Sequence, residues 1–516
     1  MKQVCIDGES LRVEDVVAVA RNFAQVEVPS SVFEKVVFSR EVLEKLVEFN
    51  ETIYGVNTGF GALGNVRISR EDVERLQVNL IRSHSAGVGK PLGLDVVRAM
   101  MLLRANTLAK GYSGVRIEVL ERLVDMLNKR VHPVIPEKGS VGASGDLAPL
   151  SHMVLVLMGE GKAEYKGKVM DGREALAKAG IKPLKLRFKE GVALNNGTQM
   201  ATAIAALNVH DAENLVKNAE IAAALSLEAL HGIIDAFKEP IHRAKPYLGQ
   251  FLSARNVRLL VEGSKLVLDG KTATQKLGYP QDPYCLRCVP QVFGAVRDSI
   301  AYVKRVVEIE MNSATDNPLV FGDEDLCISG GNFHGEHIAI AMDLLGIALS
   351  CLGNISERRI AMLLDEKLNR GLPAFLISEK SKKGINSGLM LAQYTAAALA
   401  SENKVLAHPA SVDSIPTSAN FEDFVSMAPN AARKAMEILK NSQYIVAIEF
   451  LCACQAVDLR GPEKLGKGTK VAYSVVRKVV PKVEEDRILS GDIEKIFQLV
   501  RQGRIVDEVE KCVKLL

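Results

Sequence analysis

Five long stretches rich in alanine and leucine dominate the second part of this 516-residue chain and limit what it can fold into. They run from about Gln199 to Ile233, Gln291 to Asn312, Gly335 to Asn369, Gly388 to Leu406 and Ala431 to Ala456, with apolar residues at helical spacing. Helices that are apolar around much of their circumference must bury against one another or against other subunits. A mainly α fold with a long-helix bundle core is therefore expected. Two nearly charge-free spans, Gly191 to His210 and Gly384 to Ser401, approach the length of a membrane crossing. Both are studded with Asn, Thr, Gln, Ser and Gly, so buried bundle helices are the better reading and no membrane span is expected.

Before Thr198 the patterns are shorter, which suggests an N-terminal region over 1–197 and a region of long-helix bundle and C-terminal helices over 198–516. A capping box, Ser69-x-x-Asp72, opens a helix that continues through Leu76, Leu80 and Ile81 and delivers Ser83-His84 to its far end. Further helices are expected from Asp95 to Lys110 and from Val115 to Arg130, after which Pro133 and Pro136 end helix. The persuasive β-hairpin is Ala163 to Met170, turning at Lys166-Gly167. No internal repeat or flexible linker is visible.

The formal net charge is +3 with both signs mixed along the chain, which points away from nucleic acid and acidic membrane surfaces and toward small soluble partners. The start, Met1 to Asp7, has no apolar core of a secretory signal, so a cytoplasmic protein is expected. Eight scattered cysteines lack zinc-site spacing and read as reduced thiols. Three motifs fail on context. Gly59-Phe-Gly-Ala-Leu-Gly64 has neither a clear strand before it nor a βαβ unit after it, Gly87-Val-Gly-Lys90 lacks the first glycine and the Ser/Thr of a phosphate loop, and His334-Gly-Glu336-His337 lacks metal-helix spacing. No nucleotide and no metal is expected, and His334 reads as structural or as the rim of a pocket.

One stretch carries chemistry: Gly139-Ser-Val-Gly142-Ala143-Ser144-Gly145-Asp146-Leu-Ala-Pro149. The Gly145 amide nitrogen can attack the Ala143 carbonyl and Ser144 can then lose water, which yields a methylidene-imidazolone (MIO) electrophile. Glycine at 145 removes the Cβ that would block ring closure, Gly142 permits the bend, and Asp146 could assist proton transfer. A Gly/Ser turn opening a helix is the ordinary alternative, and Ala-Ser-Gly alone favours it. A serine-hydrolase elbow fits worse, because Asp146 occupies the place of its last glycine.

The longer string, through Leu150-Ser-His152, closely resembles the MIO loop of the aromatic amino acid ammonia-lyases. Five more stretches match that family in order: Tyr54-Gly-Val-Asn-Thr-Gly-Phe-Gly61, Asn196-Gly-Thr-Gln199, Gln281-Asp-Pro-Tyr284 with Leu286-Arg287-Cys288, Asn317-Pro-Leu with Gly331-Asn-Phe333-His-Gly-Glu336, and His408 to Asn420. Ser387-Gly-Leu-Met390 and Ala398 to Lys404 point to its histidine-specific branch. The resemblance implies non-oxidative deamination of L-histidine to trans-urocanate by a homotetramer whose sites combine several chains, with MIO formed from Ala143, Ser144 and Gly145.

By the same resemblance Tyr54 abstracts the β-proton, and as a phenol it must lie near positive charge or strong donors to ionise. Arg287 grips the substrate carboxylate with its planar fork. Asn196, Gln281, Tyr284 and Phe333 surround MIO and substrate, Glu422 helps handle the amine or a proton, and Met390 fills space. The positions of Ser83-His84 face the substrate side chain; tyrosine lyases tend to carry His-Leu and phenylalanine lyases Phe-Leu there, so His84 favours an imidazole substrate. The chain departs from the pattern at Phe421, where a Gln is usual, and at Asn195 and Cys285. The first affects the imidazole pocket.

Overall fold

The computed structural model describes residues 3–48, 51–378, 380–381 and 384–516. Met1 and Lys2, part of the polar start, lie outside them. The long apolar patterns are helices Gln199–Ala229, Val289–Met311, Glu336–Leu364, Met390–Leu406 and Ala428–Arg460. The first ends at Ala229 rather than Ile233, because His231 turns to φ 49° and the Arg370 guanidinium takes the Leu230 and His231 carbonyls at 2.8 Å each. The 336–364 and 428–460 helices are long and apolar enough to cross a bilayer, yet 72% and 83% of their most apolar windows are buried inside the protein, as in core helices. Met390–Leu406 differs from the expected buried helix: it buries only Ala392, Ala396 and Asn403 and leaves Leu391, Tyr394 and Val405 exposed.

In the first part of the chain, helices span Leu94–Ala109 and Ile117–Asn128. Helix Val73–His84 starts later than the capping box predicts. Ser69 spends its hydroxyl on the Asp72 carboxylate at 3.2 Å, which closes a turn of its own and leaves Asp72 as the N-cap. The hairpin pairs Lys162–Tyr165 with Lys168–Asp171, and Lys166 and Gly167 both adopt positive φ as a tight right-twisted hairpin requires. Val131–Pro133 adds a third strand to it. Val88–Pro91 pairs antiparallel with Pro136–Lys138, which sets the far end of the Val73–His84 helix beside the stretch that begins at Gly139.

The chain forms two compact units, one of residues 1–210, 303–343 and 409–433, the other of 211–302, 344–408 and 434–516. The compositional change at Thr198 falls inside the first unit. Within it, Ile53 and Val56 are buried in a cluster with Val42, Leu43, Leu46 and Val320. Burying a side chain of this size is worth about 1.5–3 kcal/mol, enough to hold the intervening Tyr54 backbone in place. Gln77, fully buried, completes that anchorage: its amide donates to the Gly55 carbonyl at 3.0 Å and accepts from the Gly191 and Val192 N–H groups at 2.9 and 3.2 Å.

Candidate active site

The Gly139–Asp146 loop is built around backbone that few residues adopt. Ser144 has φ 51°, Gly142 80° and Gly145 79°. For a serine this conformation costs on the order of 1–3 kcal/mol and persists only where its surroundings impose it. They do so through Gly145, where an added Cβ would lie 2.3 Å from the Gly197 carbonyl oxygen. The Asp146 N–H donates to that same oxygen at 2.6 Å, and the Gly145 N–H donates to the Gly142 carbonyl at 3.2 Å. Glycine at 145 is thus required by close packing as well as by any ring closure.

Around this turn the polar groups converge. The Ser144 hydroxyl donates to Glu422 Oε1 at 2.7 Å, and the Asn196 amide donates to the Ser144 carbonyl at 2.6 Å. Asp146 is 1% exposed and accepts from the Ala201 N–H at 2.9 Å. Burial pushes its carboxyl up to about 6, against the pull of the Ala201 and Met200 N–H groups, Ser140 and Arg104. Arg104 is itself fully buried, with its guanidinium on the Ala193 and Asn196 carbonyls at 2.9 and 2.8 Å and on Gln199. Burial lowers it to about 10, still protonated at neutral pH. A buried carboxyl that exchanges protons near neutrality, a dehydratable serine and a turn closed on glycine fit an MIO formed from Ala143, Ser144 and Gly145. They do not assemble a hydrolase triad, since the hydroxyl of Ser144 is committed to a carboxylate rather than an imidazole.

The loop opens into a cavity of about 620 Å³ lined by Tyr54, Phe60, His84, Ser144, Asn196, Asn317, Phe333, His334, Phe421, Glu422 and Phe424 among others. Tyr54 accepts a 2.7 Å bond from the Gly61 N–H. Burial raises its phenol above the ordinary value and the Glu422 carboxylate adds to this, while the Gly61 N–H pulls it back. Where strong donors or positive charge are expected, the described residues supply the Gly61 N–H. His84 pairs with the Ser83 hydroxyl through Nδ1 at 3.0 Å, and burial lowers its imidazole against the Leu80 carbonyl and Glu422, which favours the neutral ring.

Tyr54, His84, Ser144, Asn196, Phe333 and Glu422 therefore share one cavity, and Ala143 and Gly145 are the chain neighbours of Ser144. Gln281, Tyr284, Arg287 and Met390 do not line it; all belong to the second unit. There Tyr284 is 70% exposed, the Arg287 guanidinium lies 4.6 Å from its ring, and Arg287 Nε donates to the Asp282 carbonyl at 2.8 Å. Phe421 lines the cavity and is 62% exposed. Asn195 is buried with its amide on Ser151 at 3.1 Å, and Cys285 lies 3.9 Å from the Met362 sulfur. His334 is at the cavity rim, stacked on Phe424 at 5.9 Å.

Sequence reasoning missed Arg104, Gln77 and the strained approach to Glu422. Ser418, Ala419 and Asn420 are left-handed in succession, at φ 51°, 53° and 66°, and the Thr417 and Glu422 backbones then pair with each other at 2.8 and 3.2 Å. Asn420 was the only residue type there that hints at such a run.

The family model "Aromatic amino acid lyase" matches residues 11–478. A histidine ammonia-lyase of Alkaliphilus oremlandii is 54% identical over 517 residues, covering 100% of both chains. Among solved structures, a tyrosine aminomutase of Streptomyces globisporus superposes with a TM-score of 0.96 at 41% identity, covering 100% of both chains. A histidine ammonia-lyase from Trypanosoma cruzi gives 0.91 at 42% identity, covering 99% of this chain and 96% of that one.

Proposed function

We propose that this chain, which belongs to the aromatic amino acid lyase family, is a histidine ammonia-lyase that converts L-histidine to trans-urocanate and ammonia. The observation that carries the reading is the junction of Ser144, Glu422 and Asn196 at 2.7 and 2.6 Å in the wall of the cavity that also holds Tyr54 and His84. MIO, formed from Ala143, Ser144 and Gly145, supplies the electrophile that makes ammonia able to leave. Every other task falls to side chains of the protein.

His84, neutral by burial, exchanges a hydrogen bond with the substrate imidazole, and Phe333 packs against it. Tyr54 takes the β-proton as the carbon–nitrogen bond breaks, leaving a double bond in the product. Its phenol must first ionise against burial, so positive charge has to come close. Arg287 supplies that charge as it binds the carboxylate, while Asn196, Gln281 and Tyr284 stabilise developing charge, Glu422 handles the amine and Met390 fills space.

Gln281, Tyr284, Arg287 and Met390 reach the site from a neighbouring chain of a homotetramer. Supporting this assembly are the exposed apolar residues Ile340 and Ile347 on helix Glu336–Leu364 and Leu391, Tyr394 and Val405 on Met390–Leu406, which a soluble protein covers by association. The protein works in the cytoplasm, where its eight unpaired thiols stay reduced. Product analysis with free amino acids tests the reading. Trans-urocanate from histidine is expected; turnover of tyrosine with histidine inert would assign another branch, and a β-amino acid product would make it an aminomutase.

A further inference from the structure

The segment that carries Arg287 is held by two residues for which the mechanism above has no use. Asp282 is buried, and each carboxylate oxygen is engaged: Oδ2 accepts from the Ile233 N–H at 2.6 Å and Oδ1 from an Arg370 terminal nitrogen at 2.6 Å. Its main-chain carbonyl accepts from Arg287 Nε at 2.8 Å. The Arg370 side chain is 3% exposed, and its other terminal nitrogen donates to the Leu230 and His231 carbonyls at 2.8 Å each. Its Nε donates to the Tyr279 hydroxyl at 3.1 Å, and its backbone is left-handed at φ 63°. The support is thus the end of the 31-residue helix Gln199–Ala229.

We propose that Asp282 and Arg370 are positioning residues for Arg287: the buried pair locks the Asp282 peptide so that its carbonyl holds Arg287 Nε, which leaves the paired terminal nitrogens of the guanidinium for the substrate carboxylate. This rests on the role given to Arg287 above. The Asp282 peptide cannot rotate without breaking bonds to two buried donors, each of which would then be left unsatisfied. With Nε fixed and Tyr284 stacked at 4.6 Å, the guanidinium keeps one plane and one open edge, the arrangement that two parallel N–H···O bonds demand. Arg370 reaches no substrate; it acts on Arg287 through Asp282.

A test compares two competitive inhibitors on the full-length assembled protein, trans-urocanate with its carboxylate and imidazole without one. Arg287→Ala should raise the urocanate inhibition constant at least tenfold and leave imidazole unchanged. Asp282→Asn and Arg370→Gln should do the same by roughly tenfold, the scale of a lost charge-assisted contact, with KM for histidine rising more than kcat falls. Arg370→Lys keeps the buried charge without the fork, so it should fold where the others fail and show a smaller shift of the same selectivity. If Arg287→Ala is selective but the Asp282 and Arg370 variants weaken both inhibitors alike, or neither, the positioning role is wrong. If Arg287→Ala itself spares urocanate, the carboxylate assignment falls and takes the positioning role with it.

Discussion

The Ser144 loop and the Gln281–Arg287 segment are both held by buried polar groups, yet they end differently. Around Ser144 the chain turns inward: the hydroxyl, the carbonyl and the neighbouring Asp146 carboxyl all find partners from the same unit, and the cavity that Ser144 lines also holds a phenol and an imidazole. Around Arg287 the support is equally buried, at Asp282 and Arg370, but the segment carries side chains that lie at the surface, with Tyr284 70% exposed. One region is a strained turn closed on itself, with Ser144 at φ 51°. The other is a buried support under exposed side chains, which on the function proposed above meet the substrate carboxylate.

The largest expected effect breaks the first region alone. Ser144→Ala removes the hydroxyl that must be lost, so it should fold and assemble normally and lose nearly all activity; substantial residual turnover would place the electrophile elsewhere. Tyr54→Phe should leave the loop chemistry intact but lower kcat by roughly a hundredfold or more, the scale of a missing general base. Mixing Tyr54→Phe chains with Arg287→Ala chains sharpens the comparison, because activity should return in part if each site draws on two chains, and should not if both residues serve the same site from one.

A smaller effect is expected at His84. His84→Leu leaves the substrate ring without a partner in a desolvated pocket, which should weaken histidine by about 1–3 kcal/mol while the loop still matures. Equal loss for substrates without an imidazole would show that His84 only fills space. The smallest effect concerns stability. The Asp146 carboxyl is raised from 3.8 to about 6 by burial, so its folded form prefers the proton. Its contribution is full below 3.8 and is lost as pH rises through about 6. Wild type should therefore lose stability relative to Asp146→Asn across that interval in urea unfolding and run parallel to it above; a gain with rising pH would contradict the burial argument.

Helices longer than twenty residues were legible because a 3.6-residue apolar period survives any tertiary context, and the hairpin because Lys166-Gly167 is local turn chemistry. What escaped was non-local. Val131–Pro133 pairs with a strand some thirty residues on, and nothing in three residues announces it. Gln77 and Arg104 look like ordinary surface residues of helices until the backbones of Gly55, Gly191, Ala193 and Asn196 arrive to pair with their side chains. The site motifs were legible as motifs, since each keeps its residues within a short string. Which of them share a cavity depends on where the chain folds back, and the string carries no trace of that.

The central claim is that Ala143-Ser144-Gly145 rearranges into the electrophile, and the mass of one peptide decides it. The fragment carrying residues 139–152, cut from catalytically active protein, should be lighter than its encoded mass by two waters, one from ring closure and one from Ser144. The encoded mass in protein that still deaminates histidine would contradict the account.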